Sequence, residues 1–212
     1  MRLGILGGTF DPIHYGHLVI AEDARVYLKL EKVLFIPAHE PPHKPKGTYS
    51  AFGHRVRMTE LAIADNPHLA ISLVEAGRTG PSYSVGTLQQ LRAELGPSAE
   101  LYFVLGMDSL TNFLSWHKPA DLLKLCRLVV AERSGYRANL AALTQALPEL
   151  AQRVELIDTP ELSISSTDLQ RRVQRGLSIR YQTPPQVERY IYEHGLYRDD
   201  SGANCGAGAA TP

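Results

Sequence analysis

The sequence of 212 residues contains little cysteine and no excess of charge of either sign. Its two cysteines are Cys126, beside an apolar run, and Cys205, among small residues near the end of the chain. This spacing is typical of neither a disulfide framework nor a metal site. The 22 basic residues balance the 22 acidic ones, so the chain lacks the positive field that holds a nucleic-acid backbone. We therefore expect no nucleic-acid partner and a location in the reducing cytoplasm.

Long hydrophobic runs are also missing. No segment reaches the roughly 20 apolar residues that cross a bilayer. Residues 1–7 enter an apolar strand pattern directly, without the charged and apolar blocks of a signal peptide. We expect no membrane association and one domain over residues 1–198. The glycine- and alanine-rich stretch 199–212 has little to bury, which predicts a disordered tail.

Short apolar runs alternate with amphipathic stretches along the chain. Runs that are apolar at nearly every position indicate strands buried on both faces, and the intervening helices supply the crossovers that parallel pairing needs. The pattern predicts the α/β class, as a Rossmann-like, doubly wound parallel sheet with a helical C-terminal end. The expected strands are Leu3–Leu6, Val33–Ile36, Leu69–Val74, Leu101–Leu105, Leu128–Ala131 and Val154–Ile157, and the amphipathic stretches include Leu18–Leu30, Arg55–Ala64, Val85–Leu95 and Leu140–Leu147.

Two common phosphate-binding motifs are absent as well. The chain has neither G-x-x-x-x-G-K-[ST] nor G-x-G-x-x-G, which argues against a P-loop kinase and a dehydrogenase. Instead, the first strand runs into Gly7–His17, with the sequence GGTFDPIHYGH. Ligands of doubly wound sheets bind beyond the carboxyl ends of the strands, so this segment is a candidate site.

The segment Gly7–His17 has the features of a phosphate cradle. Gly7 and Gly8 permit a tight turn, and Pro12 forces the next helix to begin after it. The helix start then offers free N–H groups and positive partial charge to an anion. His14 and His17 are three residues apart, so both imidazoles can face one cavity and oppose the charge of a triphosphate. Alternatively, the histidines only satisfy the helix end.

Hydroxyl side chains mark the start of a late helix. Ser163–Asp168 has the sequence SISSTD, and Arg171 and Arg172 follow one turn later. An ordinary N-terminal cap explains the hydroxyls, because serine and threonine are preferred there without any ligand. The arginines favour a second anion site, because a guanidinium can hold phosphate through two hydrogen bonds.

These two segments resemble the signatures of the nucleotidyltransferase superfamily, and GGTFDPIHYGHL is especially similar to bacterial nicotinate mononucleotide adenylyltransferases. The resemblance implies that His14 and His17 are catalytic and bind the ATP phosphates. Gln170 occupies the first arginine position of the family's I-S-S-T-x-I-R element, so we assign that phosphate contact to Arg171. The other ATP contacts that the resemblance implies are Gly8, Thr9, Phe10, Gly106, Asp108, Arg133, Ser165, Ser166 and Thr167.

The resemblance also implies a mononucleotide site. Trp116 matches a tryptophan that stacks on the pyridine ring, although a core position is the default for this residue type. Tyr83 and Ser84 match an element that binds the pyridine carboxylate, and His43 and Lys44 match a loop at the substrate mouth. Asp108 would bind a ribose, or else cap the next helix.

The activity implied is the conversion of nicotinate mononucleotide and ATP to nicotinate adenine dinucleotide and pyrophosphate. Mg²⁺ would bridge phosphate oxygens, without a protein ligand. The alternatives are a sibling enzyme acting on nicotinamide mononucleotide, phosphopantetheine, a sugar phosphate or flavin mononucleotide, and a regulator that binds nucleotide without turnover. The C-terminal segment Pro184–Tyr197 matches the family too, but its helical spacing predicts a packing helix and no site.

Overall fold

The computed structural model describes residues 1–132 and 140–198. Arg133 and the predicted tail, residues 199–212, lie outside the described residues. Six strands form one parallel sheet in the order β3-β2-β1-β4-β5-β6, which confirms the predicted sheet. Their bounds are β1 (Arg2–Gly8), β2 (Lys32–Pro37), β3 (Leu69–Ile71), β4 (Glu100–Gly106), β5 (Arg127–Glu132) and β6 (Val154–Asp158).

Helices cover both faces of this sheet. Within the described ranges they are α1 (Tyr15–Leu28), α2 (Phe52–Ile63), α3 (Ser84–Leu95), α4 (Met107–Thr111), α5 (Pro119–Leu125), α6 (Leu140–Ala146), α7 (Ser166–Gln174) and α8 (Pro185–Glu193). Two short 3₁₀ turns lie at Phe113–Ser115 and Pro148–Gln152. None of the helices in these ranges combines the length and the apolar character needed to span a membrane.

The strands divide their side chains between two hydrophobic cores. Along β4, Tyr102 and Val104 pack in the core beneath α1, α2, α7 and α8, whereas Phe103 and Leu105 pack in the core beneath α3 to α6. Successive side chains of a strand point to opposite faces, so a strand covered on both sides must be apolar throughout. This is why the strands were recognisable as unbroken apolar runs. The prediction of a helical C-terminal end is also confirmed, because α7 and α8 follow the last strand.

The third strand is shorter than predicted. Leu69–Val74 was expected to be extended, but β3 ends at Ile71. Ser72 still donates its N–H to the Phe35 carbonyl at 2.9 Å, and then the Ala76 N–H closes a turn onto the Leu73 carbonyl at 2.8 Å. β3 is an edge strand that pairs only with β2, so local turn bonds replace the ladder where that pairing stops.

A buried arginine of α2 fastens the loops at the carboxyl edge of the sheet. Arg55 is fully buried, and its guanidinium donates to the carbonyls of Thr9 at 2.9 Å and Ala38 at 2.7 Å. It donates also to the carbonyls of Ser50 at 3.0 Å and His39 at 3.3 Å. These acceptors belong to the loop after β1 and to the loop that joins β2 to α2. One side chain therefore fixes the relative position of both loops.

The surroundings of Arg55 are partly aromatic. The guanidinium carbon lies 5.3 Å from the ring centre of Tyr49 and 5.4 Å from that of Phe52, within the range of cation–π attraction. Burial lowers the pKa of Arg55, while the nearby Asp11 carboxylate raises it. Arginine remains protonated in proteins, so this buried charge persists and depends on its carbonyl partners.

We expect Arg55→Met to lower the free energy of unfolding by about 3 kcal/mol or more, because several buried carbonyl groups lose their hydrogen-bond donor. Arg57→Met on the same helix is the matched control. Arg57 is exposed and pairs with Glu60 at 3.0 Å, so its loss should cost less than about 1 kcal/mol. Urea unfolding of both variants measures the difference. Equal stabilities of the two variants would contradict the fastening role of Arg55.

Candidate functional site

The connections of β1 and β4 diverge and open a cleft between them. The two strands are neighbours, but β1 leads into α1 on one face of the sheet and β4 leads into α4 on the other. Such a reversal is where doubly wound sheets bind ligands. The cleft has a volume of about 930 Å³. It brings together the predicted residues Gly8, Thr9, His14, His17, His43, Lys44, Tyr83, Ser84, Gly106, Asp108, Trp116, Ser165, Ser166 and Thr167.

Close packing requires glycine at both ends of the loop after β1, at Gly8 in the strand and at Gly16 in α1. A Cβ atom on Gly8 would lie 2.8 Å from the Phe10 ring, and one on Gly16 would lie 3.0 Å from Nδ1 of His14. Phe10 has a φ of 49° and its side chain is buried, with its ring centre 5.1 Å from that of His17. The resemblance implied that Phe10 contacts ATP. In the structure its side chain packs in the hydrophobic core and does not line the cleft, because the turn directs it inward.

The two histidines lie together at the start of α1. His14 is the N-cap residue, and its ring centre is 3.8 Å from that of His17. The backbone N–H of His14 donates to Nδ1 of His17 at 3.3 Å, so a neutral His17 carries its proton on Nε2. Burial, and then the proximity of His14, hold the pKa of His17 well below its usual value. In the absence of a bound phosphate, the fold therefore favours the neutral form of His17.

The hydroxyl segment before α7 forms the opposite wall. Ser165 is the N-cap residue of α7 and accepts a hydrogen bond from the Asp168 N–H at 3.1 Å. The Ser166 hydroxyl donates to the Pro12 carbonyl at 2.8 Å. Both hydroxyls also line the cleft, together with Thr167. Capping and cleft lining therefore coexist, and Ser166 ties the second wall to the first.

Neither residue of the pair Gln170 and Arg171 lines the cleft. Gln170 donates its side-chain amide to the Asp11 carbonyl at 2.5 Å and to Oδ2 of Asp11 at 3.1 Å. Arg171 is exposed, on a part of α7 away from the cleft. The prediction that Arg171 takes over the family arginine's position is not met in this structure, because the helix turns that side chain to solvent.

The other end of the cleft is aromatic. Trp116 is half-buried, with its ring centre 5.9 Å from that of Phe103 and 5.5 Å from that of Phe113. Tyr83 stacks on His117 with ring centres 4.3 Å apart. Trp116 and Tyr83 both line the cleft, and Trp116 packs against the core beneath α3 to α6, whereas His17 contacts Phe10 of the core on the other face of the sheet. Trp116 is thus packed at one side and open to the cleft at the other.

Polar groups border this aromatic end. Ser84 begins α3, and His43 and Lys44 come from the loop between β2 and α2. After β4 the N-cap residue of α4 is Gly106 and not Asp108, whose exposed carboxylate lines the cleft. The alternative that Asp108 caps the helix is therefore wrong, and the carboxylate stays accessible.

The chain is similar to known proteins over most of its length. The cytidylyltransferase-like family model matches residues 5–172. A probable nicotinate-nucleotide adenylyltransferase of Roseiflexus castenholzii is 50% identical over 93% of this chain and 98% of its own length. One of Thermomicrobium roseum is 47% identical over 93% and 92%. The chain belongs to the nicotinate-nucleotide adenylyltransferase family.

A solved structure supports the fold of this family member. Plasmodium falciparum nicotinic acid mononucleotide adenylyltransferase, complexed with NaAD, superposes with a TM-score of 0.77 at 22% identity. The match covers 92% of this chain and 97% of that one. At this identity the likeness concerns the fold.

Two buried residues that line this adenylyltransferase-family cleft, Glu75 and Ser82, are not among the predicted contacts, although Ser82 belongs to the matched element of Tyr83 and Ser84. Glu75 accepts hydrogen bonds from the Thr87 hydroxyl at 2.5 Å and from the His39 N–H at 3.2 Å. Ser82 exchanges two bonds with Glu40: its N–H donates to the carbonyl at 2.8 Å, and its hydroxyl accepts from the N–H at 3.1 Å. Glu75 has no sequence signal beyond its position between a strand and a helix, whereas Ser82 adjoins Tyr83 in the matched element. They join the His43–Lys44 loop to the start of α3.

Acid should destabilise the wild-type protein more than a His17→Asn variant. The unfolded chain takes up a proton on His17 near pH 6.5, whereas the folded chain does so only at lower pH, so acid favours unfolding. Stability from the neutral His17 is therefore complete above about pH 6.5 and declines below it. Denaturant unfolding of both proteins between about pH 7 and about pH 5 measures the slope. Parallel slopes would show that His17 is not held neutral by the fold.

Proposed function

We propose that this protein transfers the adenylyl group of ATP to nicotinate mononucleotide, forming nicotinate adenine dinucleotide and pyrophosphate. The observation that carries the proposal is one continuous cleft with paired histidines at one end and the half-buried ring of Trp116 at the other. A triphosphate suits the histidine end, and a pyridine ring suits Trp116. The family's relatives at up to 50% identity carry the corresponding name. We propose a cytoplasmic location on the low cysteine content.

In the proposed reaction, a phosphate oxygen of the mononucleotide attacks the α-phosphorus of ATP. The new bond joins that oxygen to the α-phosphorus, and the bond to the β-phosphate bridging oxygen breaks, so that pyrophosphate leaves with the electron pair. A phosphate monoester is largely anionic at neutral pH, so no protein nucleophile or general base is needed. Catalysis then rests on positioning and on stabilisation of charge.

The proposed roles follow the two walls of the cleft. The His17 imidazole would donate from Nε2 to a phosphate oxygen, with His14 beside it. Gly8, Thr9 and the Ser165–Thr167 segment would hold the triphosphate between them. Asp108 would accept hydrogen bonds from a ribose. The assignment of Arg133 near the adenine rests on the family resemblance, and this residue lies outside the described ranges.

ATP would enter as its Mg²⁺ complex. Among the described residues, no group of three or more histidine, cysteine, aspartate or glutamate side chains could hold a metal ion. We propose that Mg²⁺ would be held by phosphate oxygens and water, which are ligands that this ion prefers. When bound, the ion would neutralise phosphate charge, alongside Lys44 at the cleft.

The deciding experiment measures pyrophosphate release from ATP in the separate presence of nicotinate mononucleotide, nicotinamide mononucleotide and phosphopantetheine. Fast release with the first compound, and formation of the dinucleotide, would support the proposal. Release only with another acceptor, or ATP binding without release, would refute it. A folded His17→Ala variant is the control for contaminating activity and should be slower by a factor of about 100 or more.

Trp116→Ala should raise the Michaelis constant for nicotinate mononucleotide roughly tenfold, because stacking on an aromatic ring is worth about 1 kcal/mol or more. The constant for ATP should change little, since Trp116 lies at the end of the cleft away from the histidines. Leu114→Ala is the matched control: this nearby side chain is exposed and does not line the cleft. If the Michaelis constant for nicotinate mononucleotide is unchanged in Trp116→Ala, the role of the tryptophan is packing and not substrate binding.

A further inference from the structure

The C-terminal chain turns back from α8 toward the loop after β1. Gly195 has a φ of 60°, its N–H donates to the Tyr192 carbonyl at 3.3 Å, and the Leu196 N–H donates to the Ile191 carbonyl at 3.0 Å. This pair of bonds around a left-handed glycine is a Schellman motif, which ends a helix and reverses the chain direction. Leu196 then packs against the hydrophobic core. The reversal delivers the next residue, Tyr197, into the protein.

The side chain of Tyr197 reaches the loop between β1 and α1, which is part of the cradle. Its hydroxyl donates to Oδ1 of Asp11 at 2.6 Å and lies 3.9 Å from the Met58 sulfur. Asp11 is fully buried. Burial, and then the Asp11 charge, raise the pKa of Tyr197 far above its usual range. The phenol therefore stays protonated and remains a donor at any pH at which the enzyme would work.

The Asp11 carboxylate depends on donors from three separate parts of the chain. Besides Tyr197, it accepts from the Ser50 N–H at 3.0 Å and from the Gln170 amide at 3.1 Å. A buried carboxylate that loses a donor is costly, so it moves or draws in another group. Asp11 lies in the short loop between Thr9 and His14, and movement of its side chain would displace both cleft residues.

We propose that Tyr197 is a positioning residue for ATP, which acts through Asp11 on the loop that carries Thr9 and His14. The inference rests on the proposed function. Neither Tyr197 nor Asp11 lines the cleft, so the effect is indirect. At the mononucleotide end, Trp116 packs against Phe103 and Tyr83 stacks on His117. Neither of these two residues is hydrogen-bonded to Asp11. The ATP end alone should therefore respond.

The test compares Tyr197→Phe with Tyr190→Phe. Tyr190 is the matched control, because its hydroxyl also makes one side-chain hydrogen bond, but to Nδ1 of His54 on α2 at 2.9 Å and not to the cradle. Tyr197→Phe should lower kcat/KM for ATP roughly tenfold, as expected when a charged hydrogen bond is lost. The Michaelis constant for nicotinate mononucleotide should stay within about twofold. Tyr190→Phe should leave both parameters near the wild-type values.

A double-mutant cycle separates positioning from general destabilisation. In an Asp11→Asn background, Tyr197→Phe should change kcat/KM for ATP by less than about twofold, because both changes affect one interaction. Additive effects, a wild-type kcat/KM for ATP in Tyr197→Phe, or equal losses for both substrates would overturn the inference. Rates are measured well below each melting temperature and per titrated active site. An inactive wild-type enzyme would instead refute the proposed function.

Discussion

The loop between β1 and α1 has no regular secondary structure, so its carbonyl groups need partners from other parts of the chain. Four of them find one, and so does the carbonyl of Gly8 at the end of β1. The bonds join the Gly8 carbonyl to the Ala38 N–H (2.8 Å), Thr9 to Arg55 (2.9 Å), Asp11 to Gln170 (2.5 Å), Pro12 to Ser166 (2.8 Å) and Ile13 to Thr183 (2.7 Å). The donors come from the loop after β2, from α2, from α7 and from the approach to α8. Elements from the N-terminal and the C-terminal parts of the chain therefore meet at the cradle.

This arrangement links stability with site geometry. Ser166 belongs to the wall opposite the histidines, and its bond to Pro12 sets the distance between the two walls. Arg55 sets the position of the loop that carries His43 and Lys44 relative to the cradle, since it bonds both loops. Charge stabilisation in a reaction without a protein nucleophile requires dipoles that are fixed beforehand. Buried hydrogen bonds from distant elements provide that fixation more firmly than a mobile surface loop does.

The sequence predicted the sheet and the helices on both of its faces, and most of the predicted site residues line the cleft, because these features have local signatures. Unbroken apolar runs indicate strands buried on both faces, and the segment Gly7–His17 predicts a turn followed by a helix start. Arg55, Asp11 and Tyr197 could not be found in this way. Arg55 looked like one polar residue of an amphipathic stretch, Asp11 like part of a turn and Tyr197 like the end of a packing helix. Their roles depend on contacts 46, 159 and 186 residues apart in the chain, which no local period records.

Gln170 shows how one departure from a family pattern can be absorbed. An arginine there would bring a positive charge to the cradle, whereas the glutamine amide only donates hydrogen bonds to Asp11. The loop is held without an added charge, and the cations that line the described cleft come instead from flexible lysines, Lys44 and Lys118. Burial of the His17 imidazole likewise limits the charge at this end, because it disfavours the charged form and lowers the pKa. In the proposed reaction a neutral imidazole can donate from Nε2 at once, without first taking up a proton, so the triphosphate end depends on fixed donors more than on fixed charges.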